Sequence, residues 1–390
     1  MLAITTTTRW AAGRSSARLA YVGTHTPNGG GIHIMEVGSN GRLTQRKAFP
    51  EASGTSYGRS PSWLALHPNR RFLYATNGIS NFTGPNTTGA VSAFRVDAAT
   101  GDLTFLNIVS SEGSGPAHLS VDPKGQYVFV ANYGGGNVAV LPIRPDGSLG
   151  DSTDHPNDSG VCGAPCPVGP TKPAKAPAGS FANSGHDRAH PHMIATDPAG
   201  KYVICNDLGL DLTIVWRLDR ATGKLTDPQT VDSSAGAGPR HFTFHPNGRW
   251  FYSLNETSST LAFLSYDAAS GKLMTVSEAS TLPEGFVGTN YTSSLIVTAN
   301  GRYLYAANRL HDTIAIFSLD SAGRPRLTSE AWTGGDYPGH INIDPSGDYL
   351  YSCNQRSDAI TTFRVDGDGK HLKFLNRYTP AGSPACIIFL

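Results

Sequence analysis

The chain has 390 residues, with 31 Lys and Arg against 30 Asp and Glu and a formal net charge of +1. That balance provides no basic face and no acidic tail, so nucleic acid and an anionic membrane are not expected partners, and anion recognition must come from a few placed arginines. No apolar run approaches the ~20 residues needed to span a bilayer.

In chain order, Met1 to Arg18 is Thr-rich and polar, with Arg9, Arg14 and Arg18 and no continuous apolar stretch of the secretory kind. Residues 1–18 read as a disordered lead-in, and the protein as cytoplasmic; the alternative is an exported, periplasmic protein whose leader was removed or replaced. From Leu19 onward one phrase recurs. It is a His/Asp-Pro-x-Gly turn, an aromatic-rich strand, an Ala-Asn or near variant, an amphipathic strand and an acidic turn. Full copies start at His67, Asp122, Asp197, His245, Thr298 and Asp344, and a truncated copy, LAYVGTHT, starts at Leu19. Apolar and polar residues alternate, and Gly and Pro fall at the turns, so the segments are antiparallel strands. Four strands per repeat of roughly fifty residues is the pattern of a propeller.

The predicted fold is therefore all-β, a seven-bladed β-propeller forming one domain over 19–390. Blade 1 begins at its second strand. Its missing inner strand is supplied by SPACIIFL, Ser383 to Leu390, which matches other first strands such as GPAHLSVD. The C-terminal strand thus completes blade 1 and removes an open sheet edge.

One interval departs from the period. Between Asp122 and Asp197 the chain runs about twenty residues longer than elsewhere, and 151–189 reads as a long inserted loop of the functional or disordered kind. It holds Cys162 and Cys166 around a Gly-Ala-Pro turn, where a local disulfide would form in an exported protein. Cys205, Cys353 and Cys386 lie in apolar strand runs and read as buried thiols.

Comparing the repeats with one another isolates the site. Five residues before each turn His/Asp stand Ser62, Ala117, His192, Arg240, Ser293 and Gly339, with Ala385 in the closing strand. Small residues suit converging inner strands; His192 and Arg240 are costly there unless they face a wet cavity. Directly after the second-strand Asn, or Thr24 and Asp207 in its place, stand His25, Gly78, Tyr133, Leu208, Glu256, Arg309 and Gln355. The second strand ends on the face where the first begins, so His192, Arg240, Glu256 and Arg309 should gather at one mouth of the channel.

A His and a carboxylate can move protons near neutral pH, and two guanidiniums can hold an anion and stabilise an oxyanion. Nothing in the sequence forms a nucleophile elbow, a phosphate loop or a metal cluster. The set points to water attack on an electrophilic ester or to proton-coupled ring chemistry. His25, Gln355, His190 and Arg356 complete it as substrate-binding candidates, His190 because period-2 geometry places it on the face of His192. The recurring His118, His241 and His340, and the recurring Asn77, Asn132, Asn255, Asn308 and Asn354, read as groups that link blades. Glu256 paired with an arginine as a purely structural bridge is the competing reading of the site.

In AHPHMIATDPAGKYV, DLGLD, GPRHFTFHPNGRWFYSLNE and YAANRLHDTIAIF the chain resembles the propeller lactonase family, over roughly Leu19 to Leu390. That family includes 6-phosphogluconolactonases and the 3-carboxy-cis,cis-muconate lactonizing enzymes. The resemblance carries the family's functional residues onto His192, Arg240, Glu256 and Arg309, and implies no metal and no organic cofactor. It implies a lactonase acting on an anionic sugar-type lactone or sugar acid. A lactonizing cycloisomerase and a non-catalytic binding propeller are the alternatives. The Cys/Pro-rich insertion and NYTSS, Asn290 to Ser294, where blade 6 lacks the His/Asp-Pro turn, depart from the family pattern.

Overall fold

The computed structural model describes residues 18–49, 59–82, 84, 87–162 and 166–390. The expected lead-in, up to residue 17, lies outside the described residues. Seven sheets stand around a channel, and the described residues contain no α-helix. Blade 4 shows the plan: Pro191–Thr196 innermost, then Tyr202–Asp207, Leu212–Asp219 and Lys224–Asp232 outermost, all antiparallel.

The burial gradient explains the sequence pattern. Second strands such as Tyr127–Asn132 and Tyr202–Asp207 are buried at every residue, because a neighbouring blade packs on each face. Outer strands such as Pro325–Trp332 alternate exposed and half-buried side chains, as strands with one wet face must. Between blades, second-strand tyrosines donate to a hairpin carbonyl of the next blade. Tyr21 reaches Gly101 at 2.7 Å, Tyr74 reaches Gly147 at 3.0 Å and Tyr252 reaches Gly323 at 2.7 Å. Tyr351 reaches Gly41 at 2.9 Å and so ties blade 7 to blade 1.

The repeated turn is built by its first residue. Asp122 Oδ1 accepts the backbone N–H groups of Gln126 and Tyr127. His67 instead donates from Nε2 to Gly125 O at 3.1 Å and accepts the Asn69 N–H at Nδ1, which sets its tautomer. Gly125 must be glycine: its φ is +70° and a Cβ would stand 2.2 Å from the His67 ring. In blade 6, Thr298 replaces the acidic residue and its hydroxyl accepts the Tyr303 N–H at 3.1 Å.

Closure follows the sequence reading. Pro384–Phe389 pairs with Leu19–Thr24, Ile388 opposite Tyr21 and Ile387 opposite Val22. Most of the recurring asparagines link blades, while Asn255 bonds Thr260 and Glu278 of its own blade. Asn132 donates to Ser111 O at 2.6 Å and Asn308 to Thr281 O at 3.0 Å, each binding the connection from the preceding blade. Blade 3 differs from expectation. It has three regular strands, and its outer edge is covered by the start of the insertion through isolated bridges Val140–Asp154 and Asn137–Asn157. Cys162 and Cys166 are joined in a disulfide, while Cys205, Cys353 and Cys386 are free and buried.

Candidate active site

Six of the seven inner strands carry a bulge at the register singled out above, blade 2 being the exception. In blade 4, Pro191 pairs with Asp207 and Met193 with Asn206, so His192 has no cross-strand partner. In blade 5, Pro239 pairs with Asn255 and His241 with Leu254, which leaves Arg240 in the same position. A bulge re-aims its extra residue, and here it turns that residue into the channel. A cavity of about 160 Å³ opens there, lined by Ser62, Ala117, His192, Arg240, Gly339 and Ala385 from the first register. His25, Arg309 and Gln355 line it from the second register.

Glu256 joins the two arginines. Its Oε2 lies 2.9 Å from Arg240 Nε and 2.6 Å from Arg309 Nη2. Its Oε1 accepts the Ser184 hydroxyl at 2.7 Å. Arg309 also donates from Nη1 to the Tyr337 hydroxyl at 3.2 Å and lies over the Tyr337 ring at 5.1 Å. His192 packs edge-on against Tyr133 at 5.5 Å and His241 at 5.3 Å. Its buried Nδ1 has no protein partner.

The charge states follow from these contacts. Burial would raise the Glu256 carboxyl, but the Arg309 and Arg240 charges and the Ser184 hydroxyl outweigh it and hold the group below its usual range. Burial, then the charges of Arg240 and Arg309, push the His192 imidazole well below its ordinary value. Burial and Arg240 likewise lower His25. Arg240 falls to about 10, through burial and then Arg309, and remains a cation at neutral pH. The site thus holds two guanidiniums, one carboxylate and neutral imidazoles, with one positive charge in excess.

Trp63 closes one side of the cavity, its ring 4.5 Å from His118, 5.1 Å from His241 and 5.0 Å from His340. His118 accepts the Ile194 N–H and His340 the Ile387 N–H, each from the next blade, as the recurrence suggested. His241 forms no such bond at its buried Nε2 and packs among rings instead.

Period-2 geometry fails for His190. The bulge at His192 breaks the alternation, and His190 turns aside to bond Tyr133 O at 2.7 Å and Asp187 at 2.8 Å. It supports Tyr133 by stacking at 4.3 Å and does not line the cavity. Arg356 is exposed and lies over Tyr337, 3.8 Å from the ring centroid. The register comparison passed over Tyr133, although it stands in the same series as Glu256 and Arg309. Its phenol faces the Ser184 hydroxyl and is raised to about 12, by burial and then by the Glu256 charge. Among the described residues no cluster of His, Cys, Asp or Glu is arranged to hold a metal ion. A wider groove of about 640 Å³, between the outer strands Leu43–Phe49 and Leu372–Pro380, gathers no acid–base pair.

Residues 19–389 match the family model described as lactonase, 7-bladed beta-propeller. The chain belongs to this lactonase propeller family. A Bacillus subtilis relative named 6-phosphogluconolactonase is 32% identical over 77% of this chain and 78% of its own. A Pectobacterium carotovorum relative of the same name is 29% identical over 76% of each chain. Among solved structures, the Pseudomonas aeruginosa periplasmic gluconolactonase superposes with a TM-score of 0.82 at 27% identity, covering 96% of this chain and 99% of that one. Family membership accounts for the sheet order and for the closing strand.

Proposed function

We propose that this protein is a lactone hydrolase acting on a sugar-type lactone such as 6-phosphogluconolactone. The observation that carries the reading is the convergence of His192, Arg240 and Arg309 on one cavity, with Glu256 binding both arginines. The names of the relatives point to the same substrate class.

The charge states divide the roles. Glu256 is an anion pinned by two cations and has no proton to give, so it serves to orient the guanidiniums. His192 is neutral and acts as the base. Water attacks the lactone carbonyl carbon while His192 takes its proton, and the carbonyl oxygen becomes an oxyanion held by Arg240 and Arg309. The acyl carbon–ring oxygen bond then breaks, and the imidazolium returns the proton to the departing alkoxide. The field that suppresses His192 is offset as the oxyanion develops, so the imidazole becomes more basic as the proton moves. Only these four side chains and one water are needed.

The test is hydrolysis of 6-phosphogluconolactone by the wild type and by Glu256→Gln, with the spontaneous rate subtracted. Wild-type turnover at the spontaneous rate ends the reading for that substrate. The same imidazole and arginine pair would also suit a lactonizing cycloisomerase, since two guanidiniums match a dicarboxylate. Disappearance of 3-carboxy-cis,cis-muconate under the enzyme would favour that alternative.

A further inference from the structure

We infer that the inserted segment is a working part of the active site, with Ser184 a positioning residue that holds the Glu256 carboxylate in its two-arginine clamp. The inference rests on the lactonase reading above.

Both carboxylate oxygens are committed. Oε2 faces Arg240 and Arg309, and Oε1 takes the Ser184 hydroxyl at 2.7 Å. Two arginines on one oxygen leave the carboxylate free to rotate about that contact. A donor on the second oxygen fixes its plane, and with it the direction in which both guanidiniums point. The Ser184 hydroxyl also faces the Tyr133 phenol, which is itself braced by the ring of His190. The groups facing Glu256 are therefore Arg240 from blade 5, Arg309 from blade 6, Tyr133 from blade 3 and Ser184 from the insertion.

Ser184 is held on both sides. Before it, the Phe181 N–H donates to Thr289 Oγ1 at 2.8 Å and the Asn183 N–H to Tyr291 Oη at 2.9 Å. The Tyr291 ring also lies 5.5 Å from the Arg309 guanidinium, so the anchor and the clamp share a residue. After it, His186 Nε2 lies 3.2 Å from Asp211 Oδ1, and Asp211 accepts the Gly236 and Gly238 N–H groups. Between the anchors, Gly185 has a φ of +47°, and a Cβ there would come within 2.4 Å of the Tyr133 hydroxyl. Only glycine lets the segment approach this closely. A loop that merely covered the surface would need neither the anchors nor the approach.

The experiment uses the full chain with Ser184→Ala and Ser184→Thr. Loss of a hydrogen bond to a charged group predicts a kcat about tenfold lower in Ser184→Ala, with KM within about twofold, and recovery in Ser184→Thr. In protein labelled with ¹³C at the glutamate carboxyls, the Glu256 signal is identified by its loss in Glu256→Gln. Its titration moves upward in Ser184→Ala and returns in Ser184→Thr. An unchanged kcat together with an unchanged Glu256 titration in Ser184→Ala overturns the inference. If the wild type shows no lactone hydrolysis, the lactonase reading fails, and the Glu256 titration alone decides the role of Ser184.

Discussion

Glu256 and Arg309 belong to neighbouring blades, and a carboxylate oxygen of the first lies 2.6 Å from Nη2 of the second. The same oxygen faces Arg240 at 2.9 Å, so one anion holds together two cations that would otherwise repel across a narrow channel. All three side chains are largely buried, and removing one member of such a cluster leaves charge uncompensated.

Glu256→Gln is therefore expected to act on both stability and rate. It keeps a group that can meet Ser184 but leaves two guanidiniums without their counter-charge. The melting temperature should fall, and kcat/KM should fall about 100-fold or more as the oxyanion donors lose their orientation. His192→Asn removes the base without disturbing the clamp. It should cost about 10²- to 10⁴-fold in kcat with an unchanged melting temperature. Steady-state kinetics and thermal unfolding of the two variants check this contrast. Equal loss of stability in both would make the four residues a structural knot.

Acid stability depends on the ring of buried imidazoles. Burial, with lesser help from neighbouring charges, brings His118 and His340 down to about 3 and puts His192 and His241 well below their ordinary 6.5. The unfolded chain binds these protons near pH 6.5 and the folded chain does not. Their contribution is complete above that pH and is lost as pH falls, for His118 and His340 toward about 3. Asp158 and Asp207 run in the opposite sense. Burial raises both, Asp207 to about 6, so each loses stability as pH rises from the ordinary carboxyl value of 3.8 through its raised one. Four histidines against two carboxyls predict a urea midpoint that drops between pH 7 and pH 5. Asp158→Asn should raise the midpoint at pH 8, raise it less at pH 5, and match the wild type only below the ordinary carboxyl value of 3.8. A midpoint that climbs on acidification contradicts the account.

Removal of Ile387 to Leu390 should abolish folding. Ile387 is fully buried between blades 7 and 1, and Ile388 pairs with Tyr21. Without these residues Leu19–Thr24 becomes an unpaired edge at the closing seam of the ring. Loss of the cooperative thermal transition, or recovery of the truncated chain only as aggregate, is the expected result. A soluble, cooperatively folding truncation would show that the seam is dispensable.

The architecture and the four clustered residues were legible because a propeller repeats itself. A turn, a tyrosine or an asparagine that recurs has a structural duty, and His192, Arg240, Glu256 and Arg309 stand out as exceptions at fixed registers. His190 was misplaced because strand alternation holds only until a bulge, and the bulge falls on His192 itself. Ser184 could not be found this way, since the insertion has no register to compare. Tyr133 could have been found, because it occupies the same register as Glu256. What the register alone did not reveal was its contact with a hydroxyl from a distant segment. The missing regular outer strand of blade 3 has the same origin, a segment whose place is set by what it lies against.

Arg356 bears on which lactone is preferred. At about 160 Å³ the cavity is smaller than the roughly 300–1,000 Å³ of most ligand pockets, so under the proposed function it would take the lactone ring and leave a longer substituent outside. Arg356 is exposed and is next in the chain to Gln355, which lines the cavity. It lies 3.8 Å from the centre of the Tyr337 ring, and the Tyr337 hydroxyl accepts from Arg309. An aromatic face that positions a cation lowers the entropic cost of using it. A phosphate at the far end of a sugar lactone would meet this group, whereas an uncharged hydroxymethyl would not. Arg356→Ala should therefore raise KM for 6-phosphogluconolactone about tenfold and leave gluconolactone within about twofold. Arg356→Lys should fall between, because an ammonium offers charge without the planar fork. Equal losses on both substrates would mean that Arg356 acts through Tyr337 on Arg309 and does not read the phosphate.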